Sequence, residues 1–407
     1  MRFAAALLGA SLVFCASVAD ARTWRIRPGP QAEQDLQTAL IEAQPGDTVQ
    51  LARGRFELTG GLSLDVNNVT IRGTGHDRSV LSFDGQRRGA EGLLITSDNV
   101  MLRGFGVENA RGDAIKARDC DHITIREVRV EWTRGPNPDN GAYGLYPVNC
   151  DNVLIERSIA RGASDAGIYV GQSRNIIVRD NVAEFNVAGI EIENSFNADV
   201  FGNTATRNTG GILVFDLPGL PQKGGHSVRV FGNRIFNNDT PNFAPAGNIV
   251  ADVPTGTGVL IMANRNVHVF DNEIADNATV NVLISSYRDS FEDRDYNPLP
   301  RDIVVRNNRF GNTGFAPAGV LASLPQMGVP IPDVLWDGAS MYSVAGTPRT
   351  ENVRIVVRDN RSTRTGSGSF LSLGIPVAGS PLTEAAPDPT PPPLLDIAEP
   401  AQVRIRN

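Results

Sequence analysis

The stretch NIIVRDNVAEFNVAGIEIENSFNADVFGNTATRNTGGILVF, residues 175–215, contains one short phrase twice, ending at Asn181 and at Asn203. These two asparagines are 203 − 181 = 22 residues apart. Further phrases of the same kind, spaced by this length plus insertions, end at Asn233, Asn272, Asn308 and Asn360. A repeat of this length with two apolar residues per phrase indicates a chain that coils on itself, one turn per repeat.

The phrases alternate apolar and polar residues, as a short strand with one buried face does. Pairs such as Ile176/Val178 and Val228/Val230 are its apolar residues. A second strand follows in every turn, and its apolar residues form a column: Ile115, Leu145, Ile168, Ile190, Ile212, Val259 and Val282. Two or three short strands per 22-residue turn, separated by Gly, Asn and Asp corners, predict an all-β fold, a single-stranded right-handed parallel β-helix. About eleven turns, stacked ~4.8 Å apart, would give a rod of roughly 50 Å.

The recurring asparagines are interpreted as structural rather than as ligand sites. Asparagine tolerates a left-handed backbone, so each is expected at a tight corner. Stacked side-chain amides can also hydrogen-bond along a rod. A second set follows five residues after the first and predicts a second ladder at the next corner: Asn186, Asn208, Asn238 and Asn277.

The beginning of the repeat region, LQTALIEAQPGDTVQLARGRFEL at residues 36–58, has an apolar helical face, a Pro-Gly-Asp turn and a strand pattern. Together with the repeats, this start resembles the pectate-lyase-like β-helix superfamily over roughly residues 31–360. The resemblance implies that Leu36, Ala39, Leu40 and Ala43 cover the open end of the core. The predicted organisation is a cap at 22–50, a β-helix at 51–314, last rungs with a C-terminal cap at 315–375, and a Pro-rich tail at 376–407, extended or disordered.

Residues 1–21 have the pattern of a secretory signal, with Arg2, an apolar run and Ala19-Asp20-Ala21 before Arg22. No later segment has the roughly 18 apolar residues that a membrane span requires. The sequence therefore predicts a periplasmic or secreted protein. Cys120 and Cys150 occupy equivalent positions of consecutive rungs, where they could form a disulfide or remain free thiols.

The formal net charge of −7 argues against nucleic acid or another polyanion as a partner. The chain has no zinc, haem, P-loop or dinucleotide motif, so no cofactor and no metal are expected. The acidic segment around Asp289–Asp295 lacks the spacing of a calcium loop.

Four insertions interrupt the period, at 134–140, 217–225, 239–256 and 285–300, and all fall beside the second strand of their turns. Insertions on one face of a repeat protein often form the walls of a binding surface. They could also only shield the sheet edges.

The outward residues of the second strands would form the floor of such a groove. One column is Lys116, Tyr146, Tyr169, Glu191, Leu213, Leu260 and Leu283. The next is Arg118, Val148, Gly171, Glu193, Phe215, Met262 and Ser285. One end is charged and aromatic, which suits a polysaccharide bound through Tyr146, Tyr169, Glu193 and Phe215, because aromatic rings stack on sugars. The other end is apolar and could dock a periplasmic protein such as a c-type cytochrome, although the chain itself has no CxxCH motif.

Two chemistries are open at this face. Lyases of the resembled superfamily take the proton beside a uronic acid carboxylate with a lysine or arginine, which implies Lys116 as the base and Arg118 as the carboxylate clamp of a lyase or C5-epimerase. Glycoside hydrolysis instead requires two carboxyl groups about 5–9.5 Å apart, for which Glu191 with Glu193, or Glu191 with Asp165, are the candidates. The same glutamates could merely form salt bridges with neighbouring rungs.

Overall fold

The computed structural model describes residues 21–405 of the chain, so the predicted signal segment lies almost wholly outside the described residues. The chain winds into a right-handed parallel β-helix with three long sheets, which confirms the predicted fold. Each rung contributes one strand to each sheet, where the sequence predicted two or three strands per turn. The prediction was therefore incomplete only for the third strand, which is often three residues long and too short to show an alternating pattern.

The strands of the three sheets are as follows. Sheet 1 comprises Thr23–Ile26, Thr48–Leu51, Thr70–Arg72, Val100–Arg103, Asp121–Arg126, Asp151–Glu156, Arg174–Arg179, Phe196–Phe201, His226–Phe231, Arg265–Phe270, Arg301–Arg306 and Ile355–Arg358. Sheet 2 comprises Gly54–Glu57, Ser79–Ser82, Gly106–Glu108, Arg129–Glu131, Ile159–Arg161, Val182–Glu184, Thr204–Thr206, Arg234–Phe236, Glu273–Ala275, Arg309–Phe310, Arg361–Ser362 and Gly366–Ser367. Sheet 3 comprises Gly60–Leu64, Arg88–Ile95, Ile115–Arg118, Tyr143–Val148, Ala166–Gly171, Ala188–Glu193, Gly210–Phe215, Thr257–Met262, Val280–Ser285, Val334–Trp336 and Phe370–Ser372.

The remaining elements lie outside the three long sheets. Helix Ala32–Glu42 packs Leu36, Ala39 and Leu40 against the first rungs, and these side chains are continuous with the core. The other elements are a hairpin, Met341–Val344 with Thr347–Thr350, and the short 3-10 turns Ile249–Asp252, Gly319–Ser323, Pro325–Met327 and Leu382–Glu384.

The core is a set of apolar columns that run through the rod. The second-strand column predicted from Ile115 to Val282 is fully buried, and each member pairs with the next in register. Parallel in-register stacking thus extends a single hydrophobic core along the rod, with each rung packing on its two neighbours. Cys120 and Cys150 lie on adjacent rungs with Cα atoms 4.6 Å apart, and their sulfur atoms are bonded. Of the two states that the sequence left open, the structure has the disulfide.

The asparagines form the two predicted ladders. In the first, from Asn181 to Asn360, each Nδ2 donates to the Oδ1 of the next asparagine at 2.9 to 3.0 Å. Each also donates to a backbone carbonyl, so both amide protons are used. The expectation that the asparagines themselves adopt a left-handed backbone was wrong. The left-handed residue is the one before the asparagine, such as Asp180 or Asn307, while the asparagine itself satisfies the polar groups inside the corner.

The C-terminal segment runs along the outer face of sheet 1 as an extended arm. The Glu399 carboxylate bonds Arg229 at 3.0 Å and Arg306 at 2.6 Å, and the Val403 amide donates to Asp199 at 3.1 Å. These contacts hold residues 399 and 403 against sheet 1, whereas Leu382–Glu384 forms a 3-10 turn.

Candidate active site

The outward columns of sheet 3 stack in the predicted register. Lys116 pairs with Tyr146, Tyr169 with Glu191, and Glu191 with Leu213. The groove, however, is not an open surface. The insertions at 217–225 and 239–256 fold over its middle, so that Tyr169, Glu191 and Glu193 are all buried.

Beneath these insertions lies an acidic cavity of about 250 Å³. Its floor carries Asp165, Glu191 and Glu193, whose carboxyl groups are on two consecutive rungs. Its roof is formed by apolar residues of the two insertions together with Asn248, whose Nδ2 lies 3.5 Å from Oδ2 of Asp165. The structure therefore brings together three of the residues predicted from the sequence to carry chemistry or bind substrate.

The three carboxyl groups keep protons at unusually high pH. Burial raises the pKa of Asp165 to about 7, and the nearby Glu193 carboxylate adds to the rise against a hydrogen bond from Tyr143. Burial followed by the charges of Asp165 and Glu193 raises the pKa of Glu191 well above its ordinary value. Burial also raises the pKa of Glu193, although hydrogen bonds from Tyr169 and Glu191 oppose it. The cluster therefore holds at least one transferable proton near neutral pH.

No cation neutralises this cluster among the residues that the structure describes. The charges acting on Asp165, Glu191 and Glu193 all come from other acids. Oε2 of Glu191 has no hydrogen-bond partner, and Glu191 lines the cavity. The salt bridges to neighbouring rungs that the sequence left open are thus not formed.

The tyrosines pack on one another. The Tyr169 ring lies 4.6 Å from that of Tyr143 and 4.9 Å from that of Tyr146, between ring centres. Its hydroxyl donates to Oε1 of Glu193 at 2.7 Å. Tyr169 is therefore placed to position a carboxyl group, and its ring packs against two other tyrosines, of which Tyr146 keeps partial exposure.

Lys116 and Arg118 lie outside the acidic cavity. Nζ of Lys116 lies 3.4 Å from Oδ2 of Asp113 and 3.8 Å from Oε1 of Glu91, and stands 4.7 Å from the centre of the Tyr146 ring. The Arg118 guanidinium is half exposed, with its ion-pair partner Asp119 at 3.6 Å. Both belong to the N-terminal approach to the cavity, and their predicted roles as base and clamp stay predictions.

Phe215 borders a different space. It lines an apolar cleft of about 490 Å³ at the C-terminal end of the groove, together with Leu260, Met262 and Leu283. The charged and apolar ends expected from the sequence are therefore two adjoining sites, and Phe215 belongs to the second.

Tyr143 and Asn248 were missed by the sequence reasoning. Tyr143 lines the acidic cavity because its strand begins two residues before Leu145, and Tyr143 pairs with Ala166 next to Asp165. Strict alternation along YGLYP would place Tyr143 on the inward face with Leu145, so the strand pattern does not reveal that Tyr143 lines the cavity. Nothing in the repeat predicts Asn248, since it lies within an insertion.

Within residues 21–405 no cluster of three or more His, Cys, Asp or Glu side chains is arranged to hold a metal ion. None of the helices in the same part of the chain is long and apolar enough to cross a membrane.

The fold and this site define a right-handed parallel β-helix with a roofed acidic cavity. Residues 58–219 match the family described as the right-handed β-helix region. A search of curated proteins gave no match.

Several solved structures share the fold. The catalytic unit of a GH87 α-1,3-glucanase from Streptomyces thermodiastaticus is similar with a TM-score of 0.56 and 15% identity over 86% of this chain and 65% of that one. A DFA-IIIase from Arthrobacter chlorophenolicus matches with a TM-score of 0.54 and 13% identity over 90% of this chain and 97% of that one. The A-module of the Azotobacter vinelandii mannuronan C-5 epimerase AlgE4 matches with a TM-score of 0.51 and 15% identity over 81% of this chain and 91% of that one. At these identities the likeness establishes the fold alone.

Proposed function

We propose that the protein is exported, binds a polysaccharide along sheet 3, and hydrolyses its glycosidic bonds in the acidic cavity. The observation that carries the proposal is the set of three buried carboxyl groups, Asp165, Glu191 and Glu193, which border a cavity and have no cationic partner among the described residues. The fold is shared with proteins whose names describe action on carbohydrates, which agrees with the proposal. The disulfide between Cys120 and Cys150 agrees with an oxidising compartment.

In this mechanism Glu191 is the general acid, because its raised pKa keeps it protonated near neutral pH. Its proton passes to the glycosidic oxygen as the bond from that oxygen to the anomeric carbon breaks. Asp165, when ionised, either attacks the anomeric carbon or takes a proton from the attacking water, because Glu193 is hydrogen-bonded to Glu191 and lies too close to it for this role. Tyr169 holds Glu193 in place through its 2.7 Å hydrogen bond. An uncompensated acidic cluster repels polyanions, so the proposal favours a neutral glycan.

The test is a screen of neutral and acidic polysaccharides for newly formed reducing ends, first with the unmodified protein and then with Glu191→Gln. We expect Glu191→Gln to lower turnover by about 10²–10⁴-fold while binding persists. The matched control is Glu273→Gln, because Glu273 is an exposed glutamate of sheet 2 with only long ion pairs, 3.8 and 3.9 Å. Unchanged turnover in Glu191→Gln, with an active unmodified protein, would refute the assignment.

The lyase or C5-epimerase alternative rests on Lys116, the charged residue next to the tyrosines. It predicts an unsaturated product, or an epimerised uronate, from a uronic acid polymer, and loss of this activity in Lys116→Ala. The third alternative, a scaffold that docks a periplasmic protein through Leu213, Phe215, Leu260 and Met262, is less well supported, because the first three of these side chains are buried under the insertions.

A further inference from the structure

The apolar cleft beside the acidic cavity is a second built site. Its volume of about 490 Å³ is in the range of small-molecule sites. Leu260 and Met262 form its floor, Phe215 and Leu283 come from the rungs on either side, and Leu321 covers it. Its one buried carboxyl group, Asp337, is fully used by the Ser286 hydroxyl and backbone amides, so the cleft offers mainly carbon to a ligand.

The cleft and the acidic cavity adjoin along the rod. Ile249, in the insertion that roofs the groove, borders both. Glu191, Leu213 and Leu260 are consecutive partners in one column. Two rungs correspond to roughly 10 Å, so one molecule can reach from the carboxyl cluster into the cleft. A ligand that fills both spaces must be polar at one end and apolar at the other.

The mouth of the cleft is apolar as well. Among the large apolar side chains that the structure leaves exposed, three lie on or next to the segment 318–321 that lines the cleft in part: Phe315, Val320 and Met327. Val320 lines the cleft itself while remaining 54% exposed. An exposed apolar residue that lines the cleft suits a ligand that arrives from an apolar phase, or one whose chain extends out of the cleft.

We propose that the apolar cleft binds the acyl chain of an acylated glycan, so that the substrate is a glycolipid whose sugar reaches the acidic cavity. This inference rests on the proposed function for the identity of the polar end only. The rim acids Asp252 and Asp289 face the opening with Arg288, which favours an uncharged linkage between chain and sugar. A plain polysaccharide would leave the cleft unfilled.

The test uses hexyl, octyl and decyl maltoside, each below its critical micelle concentration, titrated calorimetrically into the full chain. Burial of each methylene is worth about fourfold in affinity, so hexyl to octyl should gain about sixteenfold. Two variants place a charge in the cleft without altering the core: Met262→Lys on the floor and Val320→Asp at the mouth. Each should weaken decyl maltoside binding by about tenfold or more. Leu394→Asp is the control, because Leu394 is 75% exposed on the C-terminal arm, outside the cleft.

Affinity that does not depend on chain length would overturn the proposal, and so would equal binding by the cleft variants and the control. Neither result bears on Glu191. Conversely, the proposed function would be refuted if the Glu191→Gln variant hydrolysed polysaccharide as fast as the unmodified protein. The alkyl maltoside series would still test the cleft in that case.

Discussion

Glu156 on sheet 1 and Glu191 on sheet 3 are both almost fully buried, with side chains that point out of the β-helix, yet their surroundings are opposite. Glu156 has arginines on both neighbouring rungs, Arg126 and Arg179, and a third contact with Arg157 at 3.2 Å. The neighbours of Glu191 on its own column are Tyr169 and Leu213. In a parallel stack the residue one rung away is the nearest outward neighbour, so it decides whether a buried charge is compensated.

The consequence is a pKa shift of opposite sign. Burial alone would raise the pKa of Glu156, but the hydrogen bond from Arg179 and the charges of Arg126 and Arg179 outweigh it and lower the pKa. For Glu191, burial and the charges of the neighbouring acids both raise the pKa. An unpaired buried acid costs stability, and strongly shifted pKa values without a structural partner are typical of functional sites. Glu156 therefore stabilises the fold, whereas Glu191 has the uncompensated surroundings on which the proposed function rests.

The largest expected effect is the contrast between two identical substitutions. Glu156→Gln leaves three arginines around a neutral amide and should lower the free energy of unfolding by about 3 kcal/mol, the low end for a broken buried pair because the arginines are partly exposed. Glu191→Gln removes an acid that already prefers its neutral form, so the free energy of unfolding at pH 7 should be unchanged or higher. Urea unfolding of both variants measures this. A destabilised Glu191→Gln would mean that the carboxyl group is structural.

The second expected effect is a pH dependence with two limbs. Carboxyl groups with lowered pKa, such as Glu156 and Glu108, stabilise the fold above pH ~4, and this contribution is lost as the pH falls. Asp165 has a raised pKa, about 7, so the folded state binds its proton more tightly and stability falls as the pH rises from about 4 to about 7. Its share of the slope is at most about 1.4 kcal/mol per pH unit. Asp165→Asn should flatten this limb and leave the acidic limb unchanged, as unfolding curves at a series of pH values would show. If the free energy of unfolding of Asp165→Asn fell between about pH 4 and about pH 7 as steeply as that of the unmodified protein, the proton responsible would not be bound to Asp165.

The fold could be predicted from the sequence because each rung repeats a local pattern and its register fixes which residues stack. The alternation of Ile176 and Val178 and the spacing of Asn181 and Asn203 are sufficient for the columns and the ladders. The same register places Glu191 between Tyr169 and Leu213, so its lack of a cationic neighbour was readable in advance. The state of Cys120 and Cys150 was not, since stacking brings the sulfur atoms close whether or not they bond.

The candidate site could be predicted only in part, because the insertions have no repeat to define their path. The sequence placed Tyr169 and Glu193 on an outward face, and outward was taken to mean exposed. The roof over them comes from insertions such as 239–256, whose Asn248 and Ile249 contact residues far away in the sequence. Burial, and with it every pKa shift in the cavity, is therefore a tertiary property that the strand pattern does not contain.

The smallest expected effect concerns Glu399, an acid that resembles Glu156 in its partners but not in its exposure. It bonds Arg229 and Arg306, yet its side chain remains 36% exposed on the C-terminal arm. Water screens an exposed pair, so Glu399→Gln should lower the free energy of unfolding by only about 0.2–1 kcal/mol. The effect should appear locally, as faster hydrogen exchange at the Val403 amide, which is held by Asp199 beneath the arm. If Glu399→Gln were as costly as Glu156→Gln, the number of arginine partners, and not the burial of the carboxylate, would decide what an ion pair contributes to the stability of this rod.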